Sequence, residues 1–61
     1  MAWVAVNSYG REFMFREKPF RYEGHWDIIP RYNIPLPLGS IKKLIGINLT
    51  WNDEPEELKE E

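Results

Sequence analysis

Apolar and polar residues along this chain fall into short runs, and over most of its length those runs carry the two-residue period of strands. Ala2-Trp3-Val4-Ala5-Val6 and Glu12-Phe13-Met14-Phe15-Arg16 are rich in β-branched and aromatic residues, and Asn7-Ser8-Tyr9-Gly10 between them is a set of turn formers. The pattern predicts a β-hairpin. Alternation along the strands sets Trp3 and Ala5 against Val4 and Val6, and Phe13 and Phe15 against Met14. Both faces are apolar, so the hairpin needs cover on both sides.

Pro19 ends the second strand, because it has no backbone donor and pushes Lys18 towards an extended conformation. Phe20-Arg21-Tyr22-Glu23 then alternates aromatic with charged residues, and Gly24 permits a turn into His25-Trp26-Asp27-Ile28-Ile29. A second hairpin follows from this, closed by Pro30. In Ile34-Pro35-Leu36-Pro37-Leu38 the prolines blank one edge of an extended chain while the other three residues keep donors for a partner. That predicts an edge strand with Ile34, Leu36 and Leu38 turned to the core. The alternative is a polyproline-type surface ligand, which the strongly apolar Leu36 disfavours.

The period changes after Leu38. Ser40 suits a helix start, Ile41, Leu44 and Ile45 lie on one helical face, and Gly46 suits the residue after a helix end. A short helix over about 40–45 is expected, docked on the sheet, followed by an extended segment from Ile47 to Trp51. The expected fold is α+β and mostly β: two hairpins, a proline-marked edge strand and one short helix. Residues 1–52 form the single domain, with Trp3 and Trp51 in its core. Residues 53–61 form a mobile acidic tail, dispensable for folding beyond Pro55.

Length and composition sharpen this picture. Sixty-one residues are near the lower limit for a self-sufficient core, and with no cysteine and one histidine there is neither a disulfide nor a common structural zinc site. No metal or cofactor is expected. Nine aromatic residues in so short a chain favour burial between subunits, so a homo-oligomer is expected. No signal-like or membrane-spanning apolar run occurs, which points to the cytoplasm. Residues 1–52 carry a net charge of +3 and residues 53–61 a net charge of −5. Such a division can steer anions to the body or lay one subunit's tail on another.

Catalytic material is scarce. A hydroxyl triad would need Ser8 or Ser40 with His25, and Ser40 already serves as a helix cap, so no enzyme and no catalytic residues are expected. The glycine-lysine-serine order of a phosphate loop is absent, although Ser40 with Lys42 and Lys43 makes a second-choice anion site at the helix start. The richer constellation is Arg21, Tyr22, His25, Trp26 and Arg31, which offers rings to stack on a base and guanidinium groups to hold phosphates. Against it stands a plain alternative, in which Tyr22 and Trp26 cover the hairpin and the arginines reach past them to water. Alternation also puts Arg21 and Tyr22 on opposite faces, so a single pocket would draw on two subunits. The small body charge and the repelling tail disfavour duplex DNA.

Trp3-Val4-Ala5, Gly10 with Phe13, Lys18-Pro19, Gly39-Ser40-Ile41, Lys43-Leu44-Ile45-Gly46, Leu49-Thr50-Trp51 and Asp53-Glu54-Pro55 together resemble a group of very short bacteriophage and prophage proteins. The resemblance covers most of the chain and brings no catalytic or cofactor residues with it. What it implies is a non-enzymatic phage-type binding protein in the host cytosol, acting stoichiometrically as a host-defence antagonist. Its target would be a host protein to be blocked or a nucleotide-type signal to be sequestered. The alternative is a structural or assembly accessory without a small-molecule ligand.

Overall fold

The structure is a computed structural model that describes residues 2–28 and 32–58. Six strands and one helix follow in the order β1 (Trp3–Val6), β2 (Glu12–Phe15), β3 (Phe20–Tyr22), β4 (His25–Asp27), β5 (Asn33–Leu36), α1 (Ser40–Ile45) and β6 (Glu56–Glu57). The fold is α+β and mostly β. Strands β5, β2, β1 and β6 make an antiparallel sheet in that order, and β3 pairs with β4 as a separate two-stranded unit.

The first hairpin registers Trp3 with Phe15, Val4 with Met14, Ala5 with Phe13 and Val6 with Glu12. Its loop is organised by Asn7, whose buried side-chain carbonyl accepts the backbone N–H groups of Tyr9 at 2.9 Å and Arg11 at 3.0 Å. A side chain thus replaces the backbone partners that a loop lacks. On one face of the sheet Ala5 and Phe15 join Trp26 and Ile28, with Trp3, Phe13 and Trp51 packed against them. On the other, Val4 and Val6 meet Ile41, flanked by Met14, Leu36, Ile45, Leu49 and Leu58. The second hairpin covers the first face and the helix covers the second, as two apolar faces require.

The second hairpin closes through Glu23 and Gly24, with Tyr22 opposite His25. Both turn residues have positive φ, 47° at Glu23 and 83° at Gly24, as expected of a two-residue type I′ turn. Ser8 ties the two hairpins together, its N–H and its hydroxyl both donating to the carbonyl of Gly24, at 3.1 and 2.7 Å.

Strand β5 is the predicted edge strand, with Ile34 opposite Met14 and Pro35 opposite Phe13. The expected inward row is only partly realised: Leu36 joins the core, whereas Ile34 is 44% and Leu38 79% exposed. The strand ends at Leu36, so alternation no longer governs Leu38. The helix is where the sequence places it and closes at Gly46, whose φ of 82° allows its N–H to donate to the carbonyl of Lys42. Leu44 lies half exposed, leaving buried Ile41 and partly buried Ile45 as the stripe that docks on the sheet.

Two expectations are corrected at the C-terminal end. The segment 47–51 is not a strand; it runs irregularly into a turn in which the Asp53 carboxylate accepts the N–H of Thr50 at 2.7 Å. The domain also continues beyond residue 52. Pro55 is buried, Glu56 and Glu57 pair with Val4 and Trp3, and the N–H of Leu58 donates to the carbonyl of Ala2 at 2.7 Å. Residues 53–58 therefore belong to the fold and not to a tail.

Candidate functional site

Of the five residues expected to hold a nucleotide-type ligand, the four that the structure describes do not gather into one site. Arg21 is opposite Trp26 in the β3–β4 register, and Tyr22 is opposite His25, so the two pairs lie on opposite faces of the hairpin. Arg31 lies outside the described residues.

The inward pair is structural. Trp26 is 5% exposed, and its indole N–H donates to the carbonyl of Val6 at 2.8 Å, which satisfies the one polar atom of a buried ring. Its ring meets Trp51 edge-on at 5.4 Å. The Arg21 guanidinium lies 4.6 Å from the Trp26 ring centre and 4.9 Å from that of Trp51. One arm reaches Glu54 at 3.0 Å, and the other donates to the backbone carbonyls of Trp51 at 2.7 Å and Asp53 at 3.3 Å. A phosphate would have to displace a carboxylate and two carbonyls while leaving both indole faces in place. Arg21 is a latch between the second hairpin and the segment 51–54; of the plainer reading, Trp26 does cover the hairpin, whereas Tyr22 is half exposed and Arg21 is held by the chain instead of reaching past the rings to water.

The outward pair remains accessible. Tyr22 is half exposed and meets His25 edge-on at 5.8 Å. Phe20, two residues before Tyr22 on the same face, is 45% exposed. These three rings form an aromatic shelf on the outer side of the hairpin. Phe20 escaped the sequence reading, although the alternation Phe20-Arg21-Tyr22 is the signal that could have found it.

The second-choice anion site is corrected outright. Glu12, on β2, places its two carboxylate oxygens on the N–H groups of Gly39 at 2.8 Å and Ile41 at 2.9 Å. The helix start already holds an anion, supplied by the chain itself. Ser40 is not the cap: its hydroxyl donates to the carbonyl of Pro37 at 2.6 Å, and Gly39 occupies the capping position. Lys42 and Lys43 are exposed in the last turn, where they complement the helix C-terminal end.

Two open depressions mark the surface. One, of about 390 Å³, is lined by residues that include Tyr9, Arg11, Phe13, Pro35, Leu36 and Leu38. The other, of about 600 Å³, has a charged rim of Arg16, Glu17 and Glu57 beside Trp3. Tyr9 at 86% and Leu38 at 79% are the most exposed large apolar residues described, and both belong to the first depression. The sequence signal for Tyr9 was an aromatic residue inside a polar turn. Among the described residues no group of three His, Cys, Asp or Glu side chains is placed to hold a metal, and no helix is long and apolar enough to cross a membrane.

No known protein family, curated protein or solved structure matches the chain.

Proposed function

We propose that this is a non-enzymatic, phage-type binding protein that acts stoichiometrically in the host cytosol by occupying a host protein. The observation that carries this reading is the division of the candidate cluster. Arg21, the group a nucleotide would most need, is consumed internally, while Phe20, Tyr22 and His25 stand together in solvent. Aromatic side chains with two rotatable bonds give large contact area at small entropic cost, which is why they dominate protein contact surfaces. Of the two modes the phage resemblance implies, blocking a protein fits the shelf better than sequestering a nucleotide.

Two measurements test it together. Cyclic and ADP-ribose-type nucleotides should leave the melting temperature unchanged, since only a ligand that binds the folded state raises it. The immobilised protein should retain a host protein from cell extract that the Phe20→Ser/Tyr22→Ser variant does not, with both chains giving the same circular dichroism spectrum. A nucleotide-dependent rise in melting temperature, or identical capture by both chains, overturns the reading.

A further inference from the structure

We infer that His25 makes the aromatic shelf a pH-gated contact: a partner protein held on Phe20, Tyr22 and His25 near neutral pH is let go when the imidazole takes up a proton. This gate rests on the shelf being a protein-binding face, as proposed above, and sets the condition under which that face releases. His25 is the one histidine of the chain, and it is exposed. Imidazole is the side chain that ordinarily changes charge between pH 5 and 8, which neither a phenyl nor a phenol ring does.

The hairpin register fixes what surrounds the imidazole. His25 lies opposite Tyr22, with the two rings edge-on at 5.8 Å, and Asp27 lies opposite Phe20 on the same outer face. A protein surface laid over Phe20 and Tyr22 therefore covers the ring of His25 as well. The titratable groups beside it are the Tyr22 phenol, the Asp27 carboxylate, which accepts the N–H of Ile28 at 2.8 Å, and the exposed Glu23 in the adjoining turn. Ser8, which joins the first hairpin loop to Gly24, brings a hydroxyl and no charge. Arg21 is on the opposite face, held by Glu54 and two backbone carbonyls.

The sign of the gate follows from hydration. In the free chain water solvates either form of the exposed ring, whereas a covered imidazolium gives up hydration that a neutral ring needs far less. Asp27 and Glu23 attract the proton in the free chain and in the complex alike, so they do not set the difference between the two. They do repel any partner carboxylate that could otherwise pair with the imidazolium. Covering the shelf thus favours the neutral ring, and the proton and the partner compete. Affinity is at its full value above the pH at which free His25 takes up its proton and is lost as the pH falls through it. One proton changes affinity by at most tenfold per pH unit, so a step from pH 7.5 to 5.5 should weaken binding by about tenfold.

The immobilised full chain, loaded with host-cell extract at pH 7.5 and then washed at pH 5.5, reads the gate. Host protein held through the shelf is marked by its absence from the Phe20→Ser/Tyr22→Ser column, and it should wash out about tenfold faster at pH 5.5 than at pH 7.5. His25→Phe keeps a ring and His25→Gln keeps a polar group, and neither takes up a proton. Whatever each retains at pH 7.5 it should hold equally well at pH 5.5. Circular dichroism of the parent should be the same at both pH values, and a change at pH 5.5 would assign the release to unfolding and overturn the gate. Parent wash-out that does not quicken at pH 5.5, or that quickens equally in the His25 variants, overturns the gate and leaves the shelf as a binding face. Loss of retention at pH 7.5 in both His25 variants overturns it as well, by making the imidazole a required contact instead of a switch. A parent column that retains nothing beyond the shelf variant overturns the proposed function, and the gate with it.

Discussion

Glu12 caps a helix from 27 residues earlier in the chain: its carboxylate accepts the N–H of Gly39 at 2.8 Å from the first residue of β2, an inner strand of the sheet. A second bond, from Ile41 at 2.9 Å, makes the grip bidentate. The helix has only six residues and cannot hold itself together, so this contact and the burial of Ile41 are what fix it.

Glu12→Ala should therefore destabilise the protein by about 1–2 kcal/mol, the range for loss of a helix cap with charged character. Ser40→Ala should cost less, since the Ser40 hydroxyl binds only the carbonyl of Pro37. Urea unfolding of the two variants checks the order. A larger loss for Ser40→Ala would return the capping role to the serine.

Arg21→Ala should lower stability by about 1–2 kcal/mol, from the loss of two ring contacts and of hydrogen bonds that hold the segment 51–54. The salt bridge to Glu54 adds little, because Glu54 is 71% exposed. Arg21→Lys should recover less than half of the loss, since an ammonium cannot contact both indole rings while serving two carbonyls and a carboxylate. Amide hydrogen exchange should quicken at Asp53 and Leu58 in both variants. Unchanged stability in Arg21→Ala would show that the latch contributes nothing and would reopen Arg21 as a ligand group.

How far the sequence disclosed this fold depends on which interactions set each element. The first hairpin was legible because its strands carry their own signal, apolar side chains alternating on two faces around a turn-forming run. The helix boundaries were legible from the stripe of Ile41 and Ile45 and from Gly46. Strand β6 was not, since Glu56 and Glu57 have no strand preference of their own. They are extended because β1 offers an unpaired edge and Leu58 anchors the end against Val4, Val6 and Ile41. The segment 47–51 failed in the opposite direction. Its isoleucine, leucine and tryptophan read as extended, but Asp53 folds back on Thr50 and sends the chain round a turn. In the candidate site the residue types were visible while their faces decided the outcome, placing Trp26 in the core with Arg21 over its ring, and Tyr22 and His25 on the outer face.

Truncation after Pro55 tests whether the acidic end is part of the domain. The shortened chain loses the β1–β6 pairing, the Leu58 bond to Ala2 and the Leu58 side chain from the core. The expected cost is about 2–3 kcal/mol, combining a half-buried leucine with a few edge hydrogen bonds. Leu58→Ala alone should account for about 1–2 kcal/mol of it. A truncated chain that melts at the parent temperature would make the pairing of Glu56 and Glu57 irrelevant to stability.

The turn of the second hairpin carries a residue ill suited to its backbone. Glu23 has a φ of 47°, a left-handed conformation that L side chains other than asparagine and aspartate rarely adopt. Glu23→Asn creates the Asn-Gly pair that type I′ turns prefer and should stabilise the protein by about 0.5–1 kcal/mol. Gly24→Ala should act in reverse. Its φ of 83° already disfavours a side chain, and an added Cβ would lie 3.1 Å from the hydroxyl oxygen of Ser8, disturbing the contact that joins the two hairpins. A loss of about 1–2 kcal/mol is expected. Because Tyr22 and His25 flank this turn directly, Glu23→Asn should leave the aromatic shelf in place and preserve retention of any host protein that depends on it. Urea midpoints of the two variants read the energies. Destabilisation by Glu23→Asn would mean that the glutamate side chain contributes more to the hairpin than its backbone strain removes.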